Sequence, residues 1–347
     1  MRFAPPFRLL LLGCALLLLA AGCGRGDEPP PVPPRTQQAV ALLGEDARFA
    51  AMLDVQALQR DGGIAFSSER GLTLRFLDSD VTFNPLPRAQ QARLRAFTEA
   101  TGFEPGTDLH AAYAASDSLG AQSFLLAAEF DPARLTEQLL ATLEGRIDTT
   151  AYRGVPVFAV RHADGGGPDL RFALLDGGWI ALARDAAALH AVIDRAQDAE
   201  PATPNRAMAE LIAQVAGRGG AWIAARDLPS QRIAGAANES RVRQLARAVR
   251  DAATAFDFAG DGVRGTVLLT TDRDPGDLAD VVRGLISAVK MNSDLTEDQR
   301  RLLDRVTVAE RSGHVWIDFE MDQETLARLL LQTMRARSRA GDVAARQ

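Results

Sequence analysis

Cysteine is confined to Cys14 and Cys23, inside the first 23 of 347 residues. The remaining chain therefore has no disulfide framework, no thiolate metal site and no catalytic cysteine. Lysine is scarcer still: Lys290 is the single one among 39 basic residues, a bias we attribute to base composition rather than to phosphate recognition. Acidic residues number 45, and a net charge of −6 leaves no domain-sized basic surplus, which speaks against nucleic acid as a partner. The four histidines, His110, His162, His190 and His314, include no i, i+4 pair that would suit a metal. Missing too are a Gly-x-Ser-x-Gly elbow, His-Glu-x-x-His, a Gly-Lys-Ser/Thr phosphate loop and a dinucleotide fingerprint after a strand. Aromatics make up only 6%, yet 47% hydrophobic and 24% charged residues describe a globular chain, not a collagen-like, coiled-coil or disordered one.

The longest apolar run lies at the N-terminus and is too short to cross a bilayer. Arg2 and Arg8 precede Leu9–Ala21, thirteen residues where a spanning helix takes about 20, so this is the layout of a secretory signal. It ends in Leu19-Ala20-Ala21-Gly22-Cys23, which resembles the lipobox of bacterial lipoprotein precursors. That resemblance implies cleavage after Gly22 and acylation of Cys23, and Gly24, in place of the aspartate that retains such proteins at the inner membrane, implies export to the outer membrane. Leu11-Leu12-Gly13-Cys14 is a weaker competitor, because cleavage there leaves too little apolar segment after Arg8. Loss of residues 1–22, with Arg2 and Arg8, takes the net charge from −6 to −8. From Gly24 to about Gln38 the chain is polar and proline-rich, with Pro29-Pro30-Pro31 and Pro33-Pro34, which predicts a polyproline spacer through residues 23–40. A ligand motif for an aromatic groove is the alternative use of Pro31-Val32-Pro33-Pro34.

About 300 residues follow, enough for two modules. Apolar runs end at aspartate six times, at Asp54, Asp131, Asp185, Asp227, Asp274 and Asp322, and in all but Asp227 a leucine follows four positions later. An aspartate before a helix accepts hydrogen bonds from its free first-turn N–H groups, and the leucine is then the first inward residue. Phe124–Pro132 and Val267–Pro275 match as strand, Asp-Pro and helix, which suggests an internal duplication. Expected strands are 47–53, 109–115, 121–130, 155–161 and 171–183, the last turning at Asp176-Gly177-Gly178, then 220–226, 254–259, 263–271, 305–311 and 314–320. Expected helices are 88–101, 132–144, 185–197, 239–252, 275–290 and 322–335, with a short helix after Asn205 and another after Thr296. The fold class is α+β: two tandem duplicated modules, 41–200 and 201–337, each a largely antiparallel sheet with helices on one face, followed by a basic tail at 338–347.

Residues 63–87 form an extra strand excursion in the first half only. Its carboxylates, Glu69, Asp78 and Asp80, are the candidates for acid and base in a hydrolase. His162 beside Asp164, the acidic run Asp272, Asp274, Asp277 and Asp280, and the basic Arg335, Arg337, Arg339 and Arg346 are explained by loop, capping and solvated-tail roles before chemistry is needed. The sequence favours a non-catalytic envelope lipoprotein without a cofactor, held to the membrane by lipidated Cys23, that binds an envelope protein or a hydrophobic ligand. The body also resembles uncharacterised extracytoplasmic bacterial proteins built from repeated strand-helix modules, a resemblance of pattern that carries no activity.

Overall fold

The computed structural model describes residues 29–44, 47–69, 71–76, 79–83, 88–117, 121–142, 146–161, 170–198, 206–228, 248–259, 262–291, 295, 297–322 and 324–325. The signal segment with Gly22 and Cys23, the His162–Asp164 pair, the linker at 199–205 and the basic tail lie outside them. The fold is α+β with a large antiparallel sheet, and contacts divide it between Asp227 and Leu228, later than the linker near 200.

The larger unit holds α1 (Pro34–Leu43), β1 (Phe49–Asp54), α2 (Val55–Arg60), α3 (Arg88–Thr101), α4 (Pro105–Asp108), β5 (Leu109–Ser116), β6 (Gln122–Ala128), α5 (Pro132–Thr142), β7 (Ile147–Tyr152), β8 (Val155–Val160), β9 (Leu170–Leu175), β10 (Trp179–Ala183), α6 (Ala186–Gln197), α7 (Arg206–Val215) and β11 (Ala221–Ala225). The 63–87 stretch forms a separate three-stranded sheet, β2 (Ile64–Ser67), β3 (Gly71–Phe76) and β4 (Ser79–Phe83), in sequence order. In the main sheet of this unit the order is β11-β1-β5-β6-β10-β9-β8-β7. One face is alanine-rich, with Ala50, Ala115, Ala127, Ala181, Ala183 and Ala224 buried. Small side chains let helices approach closely, and Met52, Tyr113, Trp179 and Trp222 fill the space between. Leu189, Val192 and Ile193 of α6 and Met208, Leu211, Ile212 and Val215 of α7 are buried, with α6 packed on β6, β9 and β10 and α7 on β11.

The proline-rich stretch behaves differently from expectation. Pro34 is the first residue of α1, which buries Thr36, Ala39, Val40 and Leu43, so the spacer expected to run to residue 40 is part of the folded body from Pro34 onward. Proline at a helix start costs nothing, because its missing N–H has no partner there in any case. The helix is fastened at both ends: Thr36 Oγ1 lies 3.3 Å from the Tyr113 hydroxyl, and the Arg195 Nε donates to the Leu42 carbonyl at 2.7 Å. Arg35 sits 6.0 Å over the Trp179 ring.

In the smaller unit, β12 (Ala252–Ala259), β13 (Gly262–Leu269), β14 (Thr307–Arg311) and β15 (His314–Asp322) pair in the order β12-β13-β15-β14. Leu278, Val282 and Ile286 of α8 (Pro275–Lys290) pack with Val267, Val315, Ile317 and Phe319, and α9 (Glu297–Asp304) adds Leu302. The helix expected over 239–252 falls mostly outside the described residues, and its end is corrected. Arg250 N–H donates to the Thr270 carbonyl and Thr270 N–H to that of Asp251, so the β-ladder claims these residues and β12 begins at Ala252. Within the larger unit, β5-β6-β10-β9 are connected as β12-β13-β15-β14 are, but β7, β8 and the three-stranded sheet have no counterpart among the described residues of the smaller.

Candidate functional site

Five of the six aspartates cap helices as their spacing predicts. Asp54 accepts from Ala57 N–H, Asp131 from Ala133 and Arg134, Asp185 from Ala187, Asp274 from Gly276 and Asp322 from Thr325, at 2.7 to 3.1 Å. Asp227, the one without a leucine at +4, instead takes a positive φ of 47° and an ion pair to Arg48 at 3.6 Å. Capping thus absorbs Asp274 of the acidic run, while Asp272 pairs with Arg250 and Asp280 with Arg283. Among the described residues no group of three or more histidine, cysteine, aspartate and glutamate side chains is placed to hold a metal.

The carboxylates of the excursion fall largely outside what the structure describes. Glu69 is exposed in the turn after β2, Asp80 lies on β4, and Asp78 is outside the described residues. What the structure does assemble nearby is Glu104, which caps α4 and accepts from the Ser68 N–H at 2.9 Å and from its hydroxyl. Of the histidines, His110 bonds the Gln56 amide and His314 opens β15 opposite Arg311.

His190 stands in a denser polar cluster. On α6 it stacks on the Tyr152 ring, centroids 3.8 Å apart and planes 1° from parallel. Tyr152 donates its hydroxyl to Asp194 at 3.1 Å, which raises the phenol's pKa, and Arg153 donates to Asp194 at 2.9 Å and to Asp198 at 3.4 Å. The Arg153 guanidinium holds the Asp194 carboxyl below the usual range. Arg153 and Gly154 have φ of 48° and 83°, the two positive values of a type I′ turn, so the cluster fastens the β7–β8 hairpin to α6. No polar group of the cluster is deeply buried, and every carboxylate in it is paired. Its geometry is that of a latch.

The feature that no motif signalled is the second face of the main sheet. Cross-strand partners share a face, so the register aligns Ile223, Ala51, Ala114, Phe124, Leu182, Phe172 and Phe158 in one row over seven strands. A parallel row holds Ala221, Leu53, Ala112, Leu126, Ile180 and Leu174. Both faces of this sheet are therefore apolar. At the β8–β9 side the second face is covered, with Phe158 and Phe172 buried and stacked 4.9 Å apart. Elsewhere it is open: Phe49 is 37%, Leu53 36% and Phe124 38% exposed. Single exposed apolar residues are ordinary, but a contiguous array on one sheet face marks an interaction surface. The signal available in the sequence was the near-continuous apolarity of Phe124–Ala128, Leu170–Leu175 and Trp179–Ala183, which reads as a strand buried on both faces.

No protein-family model and no curated protein matches the chain. Among solved structures it is similar to TP0453, a Treponema protein, in its crystal form III (10% identity, 84% of this chain and 96% of that one, TM-score 0.47). Crystal form IV gives 11% identity over 87% and 97%, with a TM-score of 0.47. A likeness of that degree carries nothing about function.

Proposed function

We propose that the chain is a lipoprotein of the bacterial cell envelope, acylated at Cys23 after cleavage behind Gly22 and held at the outer membrane, whose body is a non-catalytic binding or assembly module. The observation that carries this reading is the open apolar face around Phe49, Leu53 and Phe124 on a sheet whose other face is already covered by three helices. Burying each such side chain against a partner is worth about 1.5–3 kcal/mol, so a few of them suffice for a specific contact. The fully paired carboxylates of the α6 cluster support a binding role over a hydrolytic one. The same face supports a second reading, carriage of a hydrophobic ligand, because Phe158 and Phe172 already line a covered portion beside the open one.

Native mass spectrometry of the lipoprotein extracted gently from its own membrane separates the two. A protein-sized adduct that disappears in the Leu53→Glu/Phe124→Glu double variant, with the Cys23 acyl mass retained, is the outcome expected of an assembly module. Small-molecule mass lost in the same variant identifies a carrier. An adduct indifferent to both substitutions refutes the role of this face.

A further inference from the structure

The proline-rich segment that precedes α1 is seated on the body. A Cβ added to Gly217 would lie 2.9 Å from the Pro30 carbonyl oxygen, from the Pro31 carbonyl oxygen and from the Pro30 ring, so only glycine leaves room for this segment. Val32 is held as well, its carbonyl accepting from the Gln37 side chain at 2.9 Å. Gly217 opens the loop that meets the end of β1, where Asp54 N–H donates to the Gly220 carbonyl at 2.7 Å. The chain is thus fixed at one particular end of the main sheet.

Length gives this its consequence. Seven peptide steps separate Cys23 from Pro30, a reach of at most about 25 Å, whereas eleven steps to Pro34 would reach about 40 Å. Strands β1 and β5 are themselves about 20–27 Å long at 3.4 Å per residue. A leash of at most about 25 Å rooted at one strand end matches these strand lengths, so it brings the far end, with Gln122 and Ser116, to the bilayer only when drawn out fully, whereas the near end meets the bilayer at every leash extension.

We propose that the docking of Pro30 and Pro31 on Gly217 makes the lipid anchor directional, so that the strand end formed by Asp54, Arg60 and the Gly217–Gly220 loop faces the lipid bilayer surface. This rests on Cys23 being the acylated residue. In that orientation the open apolar face stands upright from the membrane, with the Leu53 row nearest the lipid and Phe49 and Phe124 held away from it, where a protein partner has access.

The mature lipoprotein has no thiol other than Cys23, which acylation blocks, so a single added cysteine takes a fluorophore alone. The full lipoprotein carrying Arg60→Cys or Gln122→Cys is labelled with NBD and reconstituted in phosphatidylethanolamine/phosphatidylglycerol vesicles containing a headgroup-spin-labelled lipid, a short-range quencher. Quenching at position 60 at least three times that at position 122 is expected. The ratio should fall towards one in Gly217→Ala, and likewise when a twelve-residue Gly-Ser stretch is inserted after Gly24, a change that leaves the body untouched. Equal quenching at the two positions, or a ratio that survives the insertion, overturns the proposal. The mass of the N-terminal peptide is read in parallel: an unacylated Cys23 defeats the anchor reading itself, whereas acylated Cys23 with equal quenching defeats only the fixed orientation.

Discussion

Truncating Leu43 to alanine tests whether the proline-rich N-terminal stretch is spacer or core. Leu43 closes α1 with 8% of its surface exposed, beside Val40 and the fully buried Ala39. Leucine-to-alanine changes at buried sites cost about 2–5 kcal/mol, the transfer of the lost methylenes plus the cavity they leave. At the end of a helix, where the site can partly collapse, about 2–3 kcal/mol is expected, which shifts the equilibrium about 30- to 160-fold. With an m-value of about 2 kcal/mol/M in urea, the midpoint falls by about 1–1.5 M. Intrinsic fluorescence follows the transition, since Trp179 lies under Arg35 of the same helix. Amide exchange at Ala39–Leu43 separates local opening of α1 from global unfolding. Gln38→Ala, on the exposed side of α1, is the control and is expected to stay within about 0.5 kcal/mol. A spacer would give Leu43→Ala the same indifference, so a midpoint change under about 0.25 M with unchanged exchange would refute the packing described for α1.

The capping aspartates make a second expectation. Asp274→Ala removes the acceptor that Gly276 N–H meets at 2.7 Å and should cost about 1 kcal/mol, with Asp274→Asn recovering most of it in the same urea titration. Equal loss in the two variants would assign the effect to charge rather than to the cap. Acid should also loosen the β7–β8 hairpin before the rest of the larger unit. The Arg153 guanidinium depresses Asp194, and Arg161 depresses Asp148 on the same hairpin. Carboxylates depressed in the folded state stabilise it above their ordinary value near 4, and that stabilisation is lost as pH falls through the lower folded value. Amide exchange in Thr149–Val157, corrected for its intrinsic pH dependence, should therefore rise between about pH 4 and pH 2. Asp194→Asn should remove the contribution of α6 to that rise, and an unchanged profile in the Asp194→Asn/Asp148→Asn pair would show that these ion pairs do not hold the hairpin.

Particular residues show where the sequence was legible. Asp54, Asp131, Asp185, Asp274 and Asp322 announced helix starts because capping is a contact between near neighbours, decided within one turn. The Asp176-Gly177-Gly178 turn was legible for the same reason, both glycines taking positive φ of 77° and 78°. By contrast β7 was not: Asp148, Thr149, Thr150 and Ala151 are exposed and without an apolar face, and the strand exists because Val155–Val160 offers it an edge. The start of α1 was equally hidden, since Pro33-Pro34 in isolation favours an extended chain and its helix is selected by the pocket that Tyr113, Trp179 and Arg195 provide.

The sequence by itself determined the periodic elements, the α+β class and the lack of motifs for familiar chemistry, all of which depend on residue identity and spacing a few positions apart. The resemblance of Leu19-Ala20-Ala21-Gly22-Cys23 to a lipobox is likewise a matter of local sequence alone. Only the tertiary structure decided which strands are neighbours, and hence that the apolar residues of β1, β5, β6, β10 and β11 align into one open face. Cross-strand register brings together residues far apart in the chain, and no local pattern encodes that pairing.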